Sequence, residues 1–142
     1  VTATNRFPDV SPATRKVMRA NKGKDTKPEM IVRRLAHGMG YRYRLHRKGL
    51  PGKPDLVFGS RRKVIFVHGC FWHHHPDPGC KIARLPKSRL DFWLPKLDAN
   101  RVRDDRDEKA LENLGWRVLT VWECELKDEE RACDVIRSFL DS

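Results

Sequence analysis

An apolar run, Val64-Ile65-Phe66-Val67, leads without a break into His68-Gly69-Cys70-Phe71-Trp72-His73-His74-His75. A short, unbroken apolar stretch rich in β-branched residues reads as a buried strand. The run belongs in a sheet, which other elements of the chain must complete and cover. Whatever follows Val67 is then delivered to one strand end. That end carries four histidines within eight residues, one cysteine and two adjacent large aromatics. A triple histidine alone is equally a solvated polar loop, but here its neighbours point to chemistry.

The remaining chain supplies the cover. Ser11-Pro12 predicts the start of a short helix over 12–22, ended by Lys22-Gly23-Lys24. Thr26-Lys27-Pro28-Glu29 spells a capping box, and Val32, Leu35, Ala36 and Met39 then recur at helical spacing up to Gly38 and Gly40. Tyr41, Tyr43 and Leu45 alternate with Arg42, Arg44 and His46, which predicts a half-buried strand. The Pro51-Gly52-Lys53-Pro54 turn opens a second strand over Asp55 to Phe58, and Gly59-Ser60 turns the chain into Val64 to Val67. A charged helix is predicted over 96–114, with Arg103 to Lys109 too polar to be core. Trp116 to Trp122 reads as a central strand, and Ala132, Ile136, Phe139 and Leu140 form one face of a last helix. The sum is an α/β sandwich with a small mixed β-sheet flanked by helices.

A chain of 142 residues predicts one domain, 1–142. Thirty Lys and Arg face 19 Asp and Glu, a formal charge of +11, which favours a polyanionic partner, nucleic acid first. The bland alternative is a charged, soluble surface. No basic amphipathic helix argues for a membrane partner, and no apolar stretch approaches a membrane span. Val1 to Val10 lacks the apolar core of a signal peptide, so a cytoplasmic location is expected. Cys70, Cys80, Cys124 and Cys133 allow two disulfides, but three of them sit near histidines or strand ends, where metal ligation reads better.

Zinc takes about four nitrogen or sulfur ligands in a tetrahedron; Cys70, one of His73 to His75, Cys80 and Cys124 would supply them in a structural site. Cys133 stands at helical spacing from Ile136 and Leu140 and reads as a small buried hydrophobe, or the reserve ligand. Asp55, held by a turn at a strand start, could bind a hard cation such as Mg²⁺, but Pro-Asp is common and spacing alone favours a turn residue satisfying local amides. Glu29 caps its own helix and could do both jobs. Phosphodiester hydrolysis needs an activated water, a Lewis acid and a proton for the leaving oxygen, and Asp55, a metal ion and His68 or His73 match that list. Phe71 and Trp72 either pack beneath the loop or face outward to stack on bases.

Taken together, Pro51-Gly52-Lys53-Pro54-Asp55, Val64 through His75, and Leu114-Gly115-Trp116-Arg117-Val118-Leu119 through Val121-Trp122-Glu123-Cys124 resemble the very short patch repair (Vsr) endonucleases. Met18-Arg19-Ala20, Asn21 to Glu29 and Phe92-Trp93-Leu94 extend the likeness over most of the chain. The resemblance implies a restriction-endonuclease-like core with a structural zinc site, and an N-terminal DNA-contacting arm and helix over 1–22. It implies a Mg²⁺-dependent endonuclease that nicks duplex DNA 5′ of the thymine in T:G mismatches left by 5-methylcytosine deamination. Alternatives are a zinc-braced DNA-binding module that does not cut, and a nuclease of the same fold acting on methylated or otherwise modified DNA. Carried over by position, Asp55 and the Val67 carbonyl would bind magnesium, with valine standing where the family pattern has threonine. His73 would be the catalytic histidine, assisted by Glu29 and His68. Cys70, His75, Cys80 and Cys124 would hold zinc, although the segment between His75 and Cys80 is longer than in the family pattern. Met18, Phe71 and Trp72 would intercalate beside the mismatch, with Trp93 near it. The implied partners are mismatched double-stranded DNA and other mismatch-repair proteins, and the implied state is a monomeric, bacterial, nucleoid-associated protein.

Overall fold

The computed structural model describes residues 25–142; the expected N-terminal helix and Met18 lie outside the described residues. Helix α1, Lys27–Gly38, begins where the sequence places it. Thr26 Oγ1 accepts from the Glu29 amide at 3.4 Å, while the Thr26 amide donates to Glu29 Oε2 at 2.8 Å, so both halves of the capping box are present. Pro28 sits in the first turn, where its missing N–H breaks no helical bond.

Strand β1, Leu56–Phe58, runs antiparallel to β2, Lys63–His68, with Leu56 opposite Ile65. Helix α2, Leu90–Asn113, then crosses back to β3, Arg117–Trp122, which lies parallel to β2 with His68 opposite Trp122. The sheet order is β1-β2-β3, a small mixed sheet as expected. A 3₁₀ turn, Glu123–Lys127, leads to helix α3, Glu129–Asp141. One sheet face packs Leu56, Phe58, Ile65, Val67 and Val121 against α1 and α3; the other packs Val57, Val64 and Phe66 against Leu111 of α2 and Trp116. Among the described residues, no helix is long and apolar enough to cross a membrane.

Three expectations are corrected. Tyr41 to His46 forms no strand: it makes a single bridge, in which Arg44 and Val57 exchange backbone hydrogen bonds of 2.9 and 3.0 Å. β1 is only three residues long, and His46 takes a left-handed φ of 56° that turns the segment away. The alternation was a burial signal, since Tyr41, Tyr43 and Leu45 lean on the core without a ladder. The central strand is β2, buried at all six residues, whereas β3 is an edge in which only Val121 is buried. Its apolar run reflects partial cover by helices, not a second strand neighbour. Finally, α2 starts at Leu90, not 96, and runs through Pro95. Trp93 and Leu97, both 0% exposed and one turn apart, offset the hydrogen bond that Pro95 cannot make.

The turn before β1 packs against α2. Gly52 has φ +75°, and a Cβ there would lie 2.7 Å from Asp107 Cβ, whereas Gly49 at φ +89° has open space around it. Gly52→Ala is therefore expected to lose about 1–3 kcal/mol by urea denaturation through clash and strain together. Gly49→Ala, with strain alone, should lose about 1 kcal/mol.

Candidate active site

Asp55, just before β1, faces the end of β2, and the Val67 amide donates to its Oδ2 at 2.7 Å. From α1, the carboxyl of Glu29 shares a hydrogen bond with that of Asp55. Burial first, then the Glu29 carboxylate, pushes the Asp55 carboxyl up to about 8. Glu29 is itself pushed down: its burial is outweighed by the bonds from Asp55 and Thr26 and by the Arg33 charge. Two carboxyls in contact hold a proton between them in the absence of a cation; a divalent ion would take that proton's place. Glu29 thus caps α1 as expected, and its carboxyl also neighbours that of Asp55.

The parallel pairing of β2 and β3 brings Cys70 and Cys124 level, each two residues past the His68–Trp122 pair. One tight turn then returns His75 to the same place, through bonds from the His73 amide to Gly69 O, His74 to Phe71 O and His75 to Cys70 O. His74 takes φ 50° to reverse the chain. The donor atoms of Cys70, His75, Cys80 and Cys124 all lie within 4.8 Å of one another, and all four cysteines of the chain are free thiols. Cys124 Sγ lies 3.6 Å from His75 Nδ1. Tetrahedral zinc with ordinary Zn–S and Zn–N bonds separates such atoms by about 3.6 Å. The Cys124 amide also donates to Cys70 Sγ at 3.4 Å. Burial pushes the Cys70 thiol up, and a bound cation would reverse that by holding the thiolate. The four residues fit zinc. Cys133, half-buried against the core, stands apart from them.

His68 and His73 form the third group, with rings stacked at 3.8 Å and 4°. His73 Nδ1 lies 2.6 Å from Asp104 Oδ2 on α2. The donor atoms of His68, His73 and Asp104 are also within 4.8 Å of one another. Metal-ligating imidazoles aim their nitrogens edge-on at a common ion, however, and two rings stacked face to face do not. The arrangement suits proton handling better. Burial, then the neighbouring His73, pushes the His68 imidazole down to about 4, so it is neutral at pH 7. The pair lines a cleft of about 260 Å³ with Phe66, Asp104, Thr120 and Trp122.

Asp104 was not singled out in the sequence, although a signal exists. Trp93, Leu97, Asn100, Asp104, Asp107 and Leu111 recur at helical spacing, and every one is buried or half-buried. The polar members are therefore aimed inward. Asn100 Nδ2 donates to Trp72 O at 2.9 Å, and Asp98 Oδ1 lies 3.2 Å from His74 Nδ1, so α2 grips three consecutive residues of the loop.

Phe71 and Trp72 are half-buried and meet edge to face at 5.3 Å. Both also rest edge to face on Trp93, at 5.1 and 5.9 Å. Trp93 is 0% exposed, so it braces the pair from beneath and offers no face of its own.

Comparison with known proteins identifies the family and the fold. The family model for the DNA mismatch endonuclease Vsr matches residues 9–78. The type II nicking enzyme V.XorIIP of Xanthomonas oryzae pv. oryzae is 56% identical over 133 residues, covering 93% of this chain and 96% of that protein. The DNA mismatch endonuclease Vsr of Escherichia coli (strain K12) is 47% identical over 123 residues, covering 86% of this chain and 77% of its own length. Among solved structures, the catalytic domain of the homing endonuclease I-Bth0305I shares the fold, with a TM-score of 0.55 at 22% identity over 81% of this chain and 94% of that one. The chain belongs to the Vsr family of DNA mismatch endonucleases.

Proposed function

We propose that this endonuclease nicks one strand of duplex DNA 5′ of the thymine in a T:G mismatch, by Mg²⁺-dependent hydrolysis. The observation that carries the reading is the meeting, at one end of β2, of a carboxyl clamp and an oriented histidine: Asp55 fixed by the Val67 amide, and His73 fixed by Asp104.

Magnesium would be held by Asp55 and the Val67 carbonyl, and when bound it supplies Lewis-acid stabilisation of the phosphate oxygens. A residue in an extended strand aims its N–H and C=O at the same edge. The Val67 amide already faces Asp55, which supports a carbonyl ligand and explains how valine serves in place of threonine. Glu29, in contact with Asp55, stands where it can orient the attacking water. Asp104 accepts from His73 Nδ1, which leaves Nε2 as the atom that exchanges a proton with the reacting groups. Water adds to phosphorus, the bond to the leaving sugar oxygen breaks, and that oxygen takes a proton. His68, neutral and stacked on His73, limits the motion of the His73 ring. Zinc held by Cys70, His75, Cys80 and Cys124 would fix the turn that carries His73 and the aromatic pair. Phe71 and Trp72, propped on Trp93, would wedge into the stack, where a mismatch lowers the cost of unstacking. The charge of +11 supports phosphate contacts along the duplex.

With Mg²⁺, the protein should nick a duplex bearing one T:G pair and leave the T:A duplex far less affected; equal inertness on both, with the protein folded, sinks the reading. Asp55→Asn keeps the acceptor for the Val67 amide and relieves the contact with Glu29. It should abolish nicking while leaving duplex affinity and metal-free thermal stability unchanged or higher. Full activity in that variant would instead put the metal elsewhere. Elemental analysis should find about one zinc per chain, and Cys124→Ser should lose it together with several degrees of melting temperature. Retention of zinc by that variant would implicate Cys133. Because burial lowers the His68 pKa, its ring should stay neutral down to about pH 5 in an NMR titration of the zinc-loaded protein, with a midpoint near 4. A midpoint at or above 6.5 would contradict the packing described.

A further inference from the structure

Ring contacts run in series from the metal-binding turn to the histidine pair. Trp122, the last residue of β3, lies face to face with His75, ring centroids 4.1 Å apart and planes 12° from parallel. It also meets His68 edge to face at 5.2 Å and 75°. His68 in turn stacks on His73, which ends at Asp104.

The way His68 is held gives this series its importance. A functional imidazole is ordinarily oriented by a hydrogen bond to one of its nitrogens. His68 is 7% exposed, and its Nδ1 is buried without a hydrogen-bond partner. Ring packing by Phe66, Trp122 and His73 therefore takes over the orienting role. Of these walls, His73 belongs to the metal-binding turn itself, and Trp122 touches that turn at His75, the residue that would bind the metal. Its own place is fixed by the ladder to His68, by its amide donating to Glu125 Oε1 at 2.7 Å, and by Cys124 two residues on.

We propose that Trp122 is a positioning residue that carries the fixed geometry of the metal-binding turn, through His75, to the His68–His73 stack, and so sets the orientation of the histidine that exchanges the proton. The inference rests on the reading of His73 as catalytic. A flat aromatic face is what the role requires: phenylalanine retains one, while leucine fills space without one.

The test compares Trp122→Leu and Trp122→Phe with the parent protein, all zinc-loaded, on a duplex bearing one T:G pair with Mg²⁺. Trp122→Leu is expected to lower the single-turnover nicking rate about ten- to a hundred-fold, with zinc content and duplex Kd unchanged. The NOE between the His68 and His73 ring protons should be lost in that variant. Trp122→Phe should restore the NOE and most of the rate. An unchanged rate in Trp122→Leu overturns the proposal. So does a rate loss with that NOE intact, or one that merely tracks loss of zinc or of duplex affinity. Should the parent protein fail to nick while the NOE still depends on Trp122, the positioning role stands and the nuclease reading falls.

Discussion

Pairing of β2 with β3, parallel and with His68 level with Trp122, is the contact on which the rest of the site depends. Because both strands end at the same height, the residues beyond them emerge together, and Cys70 meets Cys124 without any long-range loop closure of their own. On its other edge β2 pairs with β1 running the opposite way, so the start of β1 and the end of β2 coincide. That places Asp55 beside Val67. A slip of one residue in either ladder would send His68 to the opposite face and separate each of these pairs. The burial of all six β2 residues is what makes such a slip costly.

The site divides into groups held by different physics. Asp55 and Glu29 are a buried like-charge pair, unfavourable by itself and tolerated because a proton or a cation can sit between them. The cysteine–histidine turn is a chelate, rigid when its ligands are satisfied. The two imidazoles rely on stacking and on one carboxylate, Asp104. Helix α2 grips Trp72, His73 and His74 from one side.

Local chemistry was legible in the sequence; partnership across the fold was less so. The capping box at Thr26 and Glu29, the apolar run within β2 and the cysteine-rich ligand set could be seen because each depends on neighbours in sequence or on distinctive ligand types, although only the family resemblance singled out His75 among the three histidines. Asp104 escaped notice because it sits in a helix whose polar residues resemble an ordinary solvated face, and only the register with Trp93 and Leu97 shows it points inward. The alternation of Tyr41, Tyr43 and Leu45 reported burial truthfully but not pairing, since burial needs only a packed surface and a ladder needs a partner of matching length. Trp93 could be placed near the aromatic pair by motif, but that it lies buried beneath Phe71 and Trp72 depends on the register of its helix.

In the proposed mechanism the carboxyl clamp, and not the histidine pair, takes the catalytic cation. Anomalous diffraction at the manganese edge from crystals of the zinc-loaded protein soaked in Mn²⁺ tests it directly. A manganese peak is expected beside the Asp55 carboxylate and the Val67 carbonyl, separate from the zinc among Cys70, His75, Cys80 and Cys124. A manganese peak between His68, His73 and Asp104, with none at Asp55, would contradict it.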